Sequence, residues 1–503
     1  MDVSGSEKNH GRPARRPARS GAAALALAGA LAATPGCGRD QPPDRTTRPA
    51  VGPVPELELP AVERFALDNG LEVLLLEKHE VPLVQVNLHV RAGSVRDEAG
   101  TVGLADLTAD MLDEGAAGRA ALDIAGAFER LGARFNIGAD LHLATLSLRV
   151  PVARLEEALA LMADVALHPD FPAAELDRLR QERLTFLIRR RDEPNRIAGV
   201  TLEQALFGAT HPYGRGTIGD AATLRAIGTD DVRAFYDRYY RPNNAAVVVV
   251  GDVTPEILRQ RLEAAFGAWT PGDDVAPVDV ADAEQVHGRT VYLVDKPGAA
   301  QSVIRIGRIG PPRDTDDYYA LQVMNTILGG SFTSRLNQNL REDKGYTYGA
   351  GSNFDFRPAA GPFIAAAAVQ TNATGASLRE FMNELQGILE PIPEEEVERA
   401  RSFLAMRYPA AFQSVAGIAR RLADIVRYGI PDDEYNRYTE RILAVTKADV
   451  ERVAHEYIDP ENLAIIVVGD REAIEAQVRE QALGDIRFLD VSDVLGPPPM
   501  GTR

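Results

Sequence analysis

Residues 239–252 read Tyr239-Tyr-Arg-Pro-Asn-Asn-Ala-Ala-Val-Val-Val-Val-Gly-Asp252, and they recur as Tyr457-Ile-Asp-Pro-Glu-Asn-Leu-Ala-Ile-Ile-Val-Val-Gly-Asp470. The pairs Pro242/Pro460 and Gly251/Gly469 both lie 218 positions apart, and Asp231-Val232 meets Asp449-Val450 at the same offset. The offset also carries a strand pair, Glu72 to Glu77 and Val84 to Val90, onto Val291 to Asp295 and Ser302 to Arg308. A period this long, held from one end of the unit to the other, is a duplication, and a duplicated unit folds as two similar domains. A chain of 503 residues also exceeds what one core usually organises.

The first copy is expected over residues 61–269 and the second over 289–486, joined by an acidic linker with Pro and Gly at 270–288 and followed by a tail at 487–503. Within each copy, period-two alternation marks hairpins at Arg134 to Val150 and at Ala350 to Val369, the latter broken by Gly361-Pro362. Helical spacing dominates Val152 to Leu167, Leu176 to Arg191, Ser377 to Leu389 and Pro393 to Met406. The β-branched runs Val247 to Val250 and Ile465 to Val468 predict inner strands. The fold class is therefore α+β: two homologous domains, each a mostly antiparallel sheet with helices packed on one face.

A net charge of −18 excludes nucleic acid as a partner, because phosphate binding needs a basic surface. Arg12, Arg15, Arg16 and Arg19 precede an uncharged Ala/Leu/Gly-rich run from Ser20 to Thr34, the order of a secretory signal, so residues 1–37 are expected to direct export. Cys37, the only cysteine, directly follows that run, and its setting resembles a bacterial lipoprotein site in which the thiol is acylated. A plain signal peptide with an incidental thiol is the alternative. Residues 38–60 then form a tether, and the protein is periplasmic or lipid-anchored to a bacterial membrane.

Gly103-Leu-Ala-Asp106-Leu-Thr-Ala109-Asp110-Met-Leu112 resembles the active-site helix of the pitrilysin/insulinase family, whose His-x-x-Glu-His binds zinc and activates water. Here Asp106, Ala109 and Asp110 stand at the places of the two ligands and the base. The family's third ligand, a Glu roughly 75 residues further on, would fall on the helix ending before Asp192-Glu193-Pro194. That stretch, Leu184-Thr-Phe-Leu-Ile188, has no carboxylate, and Glu182 reads as part of a solvated face. The resemblance implies no metal and no cofactor on this chain. The duplication and element order also resemble that family's half-chains, in which two such domains form one wall of a peptide chamber.

The second copy holds Leu328-Gly-Gly-Ser-Phe-Thr-Ser-Arg-Leu336, continuing to Leu340-Arg341-Glu-Asp-Lys-Gly-Tyr-Thr-Tyr348. This run resembles the family's second-domain signature, in which an Arg and a Tyr seven residues later serve the metal site. Carried over, these are Arg341 and Tyr348: a guanidinium to grip substrate and a phenol to stabilise an oxyanion. The plainer alternative pairs Arg341 with Glu342 or Asp343 and makes Tyr348 an ordinary strand residue. Asn136 stands where the family binds substrate backbone along a sheet edge, and strand packing explains it equally well. The eight histidines are scattered, with no two at i, i+4.

Three functions are open on this reading. One is the zinc-less subunit of a heterodimeric peptidase, with zinc on a homologous partner subunit and a peptide as substrate. The second is a non-catalytic peptide-binding or assembly scaffold of the same fold. The third, a self-sufficient metallopeptidase, is opposed by the missing ligands.

Overall fold

In the computed structural model the described residues are 52–53, 57–273 and 275–499. The expected signal sequence and Cys37 lie outside them. Contacts gather residues 54–503 into one unit, which holds two six-stranded sheets.

The first sheet comprises β1 (Glu63–Ala66), β2 (Glu72–Glu77), β3 (Leu83–Val90), β6 (Arg134–Ala139), β7 (Ala144–Pro151) and β8 (Ala245–Gly251). A two-residue ladder, β4 (Gly115–Ala116) with β5 (Arg119–Ala120), stands apart from it. The second sheet comprises β9 (Arg289–Asp295), β10 (Gln301–Ile309), β11 (Thr347–Phe354), β12 (Pro362–Gln370), β13 (Leu463–Gly469) and β14 (Asp485–Asp490). Strand order is β1-β2-β8-β3-β7-β6 in one and β14-β9-β13-β10-β12-β11 in the other, so the duplication survives in the five strands β2-β8-β3-β7-β6 and β9-β13-β10-β12-β11, while the sixth position is filled by β1 from the start of the first half and by β14 from the end of the second. Most pairings are antiparallel. The exceptions are β8 beside β2, β13 beside β9, and β14 beside β9.

Every residue of β8 and of β13 is buried. Successive strand residues point to opposite faces, so two layers are needed to bury such a strand. On one face Val247 and Val249 meet the first half's own helices, among them Leu155–Leu167 and Pro255–Phe266. On the other, Leu74, Leu76, Val248 and Val250 pack on Ile418, Leu422 and Ile425 of the helix Val415–Tyr428, which belongs to the second half. The exchange is reciprocal: Ile197, Ala198 and Leu202 of the first half's helix Pro194–Phe207 cover Val303, Ile466 and Val468 of the second sheet. Own helices on one face agree with the sequence reading, and the borrowed helix on the opposite face is what that reading lacked. An Arg427–Asp140 ion pair adds a polar tie between the halves.

Two boundaries need correction. Residues 487–490, read as tail, complete β14, and the helix Val491–Leu495 buries Val494 and Leu495 in the cluster around Pro194–Phe207. At the other end, Leu57 and Leu59 of the expected tether pack beside the Val415–Tyr428 helix, where Leu59 N–H donates to Asn436 Oδ1 at 2.9 Å. The apolar side chains in these stretches outweigh the Pro and charge that suggested free chain. Residues 270–288 form no helix or strand where described, yet Val278, Val280 and Val286 lie against the second sheet's cluster.

Candidate functional site

The helix Leu104–Asp110 carries the altered motif. Its start is fixed by Asp97, which accepts hydrogen bonds from Gly103 N–H at 2.8 Å and Ala105 N–H at 2.9 Å. Gly103 is required there: its φ is 100°, and a Cβ would sit 2.4 Å from the Ile218 carbonyl oxygen. Leu104, Ala105, Leu107, Thr108 and Ala109 are buried, so Ala109 presents only a methyl group to the core.

Asp106 and Asp110, one turn apart, face the helix Ala173–Arg189, and the group they meet is Arg183. Its Nη1 lies 2.6 Å from Asp106 Oδ2, and its Nη2 pairs with Asp110 Oδ2. The guanidinium thus bridges the two carboxylates, and all three side chains are largely shielded from water. One cation against two anions leaves a net negative charge in a poorly solvated place. Burial pushes the Asp106 carboxyl up to about 6, against the pull of Arg183 and with Asp110 adding to the rise. Burial raises Asp110 too, again opposed by Arg183. Glu182 points elsewhere, to Arg178 at 2.7 Å on the exposed helix face.

These residues do not fit zinc. The motif offers no nitrogen or sulfur ligand, one oxygen of each carboxylate is engaged by Arg183, and a dication there would meet a fixed positive charge. Among the described residues no group of three or more His, Cys, Asp or Glu side chains could hold a metal ion.

In the second half the helix Tyr318–Leu328 ends at Gly329-Gly330, where a Cβ on Gly329 would lie 2.2 Å from the Ser352 backbone nitrogen of β11. The chain then forms a π-helix, Gln338–Asp343, which carries Arg341. Tyr348 sits where the β11–β12 register shifts, between Thr347 and Ala350. An irregularity of this kind re-aims a side chain, and Tyr348 is 88% exposed. The Arg341 guanidinium lies 4.6 Å from the Phe332 ring centre and 5.0 Å from that of Tyr348. Arg341 Nε also pairs with Glu342 at 3.2 Å, so the plain ion pair and the Arg/Tyr cluster coexist. Asn337 braces the group, donating to the Phe332 carbonyl at 2.7 Å and accepting from Ala350 N–H at 3.3 Å.

Asn136 is exposed on β6, an edge strand of the first sheet, opposite Ser147 of β7. The helix carrying Asp106 packs against β6. The structure therefore yields two groups, Asp106–Arg183–Asp110 near the β6 edge and Phe332–Arg341–Tyr348 at the surface of the second half. Among the described residues no hydrogen bond or ion pair joins them. Sequence reasoning passed over Arg183, although two carboxylates on one helix face without a metal already call for a cation. Phe332 lay inside the signature run unremarked.

The family description "Insulinase (Peptidase family M16)" matches residues 72–211, and "Peptidase M16 inactive domain" matches residues 226–404. The chain belongs to the insulinase, or M16, peptidase family. It is similar to an uncharacterized zinc protease of Rickettsia bellii, 25% identical over 77% of this chain and 93% of the relative. It is also similar to a protein of Helicobacter pylori named a non-peptidase homolog, 20% identical over 80% of this chain and 92% of the relative. Among solved structures, a peptidase M16 inactive domain from Pseudomonas fluorescens superposes with a TM-score of 0.76 at 28% identity, covering 81% of this chain and 97% of that one. The family's fold and its two-domain plan are thus those of this chain, in which Asp106 and Asp110 are paired with Arg183.

Proposed function

We propose that this M16 chain is the zinc-less subunit of a heterodimeric peptidase, lending Arg341 and Tyr348 to a homologous subunit that carries zinc and cuts peptides. The observation that carries the reading is an asymmetry. The first half's ligand positions are locked in an ion-pair cluster, while the second half holds a guanidinium and a phenol together at its surface. A surface phenol on a rigid strand suits donation to an oxyanion formed on another subunit, and a guanidinium suits a two-pronged hold on substrate carbonyl or carboxylate. The unpaired edge of β6, with Asn136 on it, suits an extended peptide added as a further strand.

Reconstitution with a zinc-bearing homologue tests this directly: the pair should cleave unfolded peptides that neither chain cleaves alone. Wild-type rates from the double variant Arg341→Ala, Tyr348→Phe in that pair would overturn it. The second reading, a non-catalytic scaffold, draws on the relative named a non-peptidase homolog. It gains if the pair forms but its activity ignores both residues.

Export and a lipid anchor at Cys37 belong to the same proposal. Cys37→Ser should release the protein from membranes to the soluble fraction, and a mature N-terminus beyond residue 37 would exclude the anchor.

A further inference from the structure

At the open edge of the first sheet two like charges stand face to face. Arg134 opens β6 directly opposite Arg149 of β7, so both side chains leave the same face of the sheet, with their Cβ atoms about 5 Å apart. Arg134 is exposed and Arg149 half-buried. Among the described residues neither guanidinium has a hydrogen bond, an ion pair or a ring contact. Beyond Arg149, Gln85 of β3 turns its amide nitrogen to Asn87 Oδ1 at 2.7 Å and Ser147 Oγ at 2.9 Å. The next row of this face, Asn136 with Ser147, carries no charge. Like charges directly opposite each other on a sheet are destabilising, and here no acid in the facing rows offsets them.

Edge protection does not account for the pair. A charge on an edge strand keeps foreign strands away, which explains Arg134 but not Arg149, whose strand has a neighbour on either side. Nor does the sheet need them. Val303 lies 218 residues after Gln85, and its partner on β12 is Ala368, where Gln85 has Arg149. Across from Ala368, the edge strand β11 has the register shift that carries Tyr348 in place of a facing arginine. The duplicated sheet thus forms with no charge at either place.

We propose that Arg134 and Arg149 recognise a glutamate side chain of an extended peptide added along β6, at the peptide residue that faces Arg134. On an added strand that residue sends its side chain to the arginine face. A carboxylate there can accept from one guanidinium at each oxygen, turning a repulsive pair into a bridged one. The flanking peptide residues point to the other face, where Phe135 and Ile137 of β6 are half-buried and apolar. Such recognition rests on the strand addition that is part of the proposed function, and it needs neither a zinc-bearing partner nor Arg341 and Tyr348.

The probe is a fluorescein-labelled Val-Thr-Val-Glu-Val-Thr-Val amide followed by anisotropy, beside the same peptide with Gln or Lys in place of Glu. The Glu peptide should bind saturably and the Gln peptide about tenfold more weakly. With a formal net charge of −18 on the chain, non-specific attraction favours the Lys peptide, so a preference for Glu requires a local site. Arg134→Gln and Arg149→Ala should each cut the preference for Glu over Gln to about threefold, and the double variant should abolish it, with binding of the Gln peptide unchanged. Neither single variant should lower the melting temperature, because each relieves a like-charge contact. Equal binding of the Glu and Gln peptides by the wild type would overturn the proposal and leave strand addition standing, whereas no binding of any of the three would remove both. A preference for Glu that survives in the double variant would also overturn it.

Discussion

Arg183 bridges two side chains one turn apart on the motif helix and ties that helix to the next. Because the cluster holds two carboxylates and one guanidinium, its members are not equally dispensable. Arg183→Ala leaves two shielded carboxylates facing each other and should cost about 3 kcal/mol. Asp110→Asn leaves a balanced pair and should cost about 1 kcal/mol or less. Urea unfolding of the two variants checks the order. The same imbalance sets a pH dependence. The folded Asp106 carboxyl, at about 6, lies above its ordinary value, so the folded state holds that proton more tightly than the unfolded chain does. The contribution of this group is fully present below about pH 4 and is lost as pH rises through about 6. Asp106→Asn should therefore show a smaller fall in stability between pH 4 and 7 than the wild type. The facing of Asp106 and Asp110 was legible in the sequence because i, i+4 spacing puts them on one helix face. Arg183 was not, because a long guanidinium reaches a place that its own backbone does not occupy, and beside Glu182 it read as part of a solvated helix face.

At the level of elements, β8 and β13 were legible as inner strands because an unbroken β-branched run has no face to show to water. The source of the second covering layer was hidden. An amphipathic helix such as Val415–Tyr428 announces an apolar face but not the partner that will cover it. Leu422 is fully buried in that exchanged contact, and Leu422→Ala should cost about 2–4 kcal/mol. The damage should surface in the other half, as faster amide hydrogen exchange across Val247–Val250, with β13 less affected. Uniform acceleration in both sheets, or none in β8, would show that the borrowed helix is not what protects the first sheet.

For the whole molecule, the constant offset of 218 marked both copies and their matching strands in the sequence, since the duplication keeps matched residues at matched places, whereas the order of those strands in each sheet comes from the structure. It was silent on how the copies meet. The reciprocal helices make each half incomplete by itself: residues 57–288 would expose Leu74, Leu76, Val248 and Val250, and residues 289–499 would expose Val303, Ile466 and Val468. Expressed separately, the two fragments should be poorly folded, and mixing them from denaturant should restore a single cooperative transition, readable by circular dichroism. The proposed pairing belongs to this scale too. In a reconstituted heterodimer Tyr348→Phe should lower turnover by about 100 to 1000-fold if its hydroxyl is an oxyanion donor, with little change in unfolding midpoint because a single solvated hydroxyl is removed.

The cation at the heart of the first half is covalently part of the chain. Chelators and metal starvation act on ions that exchange with solvent, and a guanidinium has no dissociation equilibrium to shift. Prolonged dialysis against EDTA should leave the melting temperature of this chain where it was. In the proposed pair, metal limitation would then silence the catalytic subunit while its companion stayed folded and competent to bind it, so that activity could return with the ion and no new synthesis.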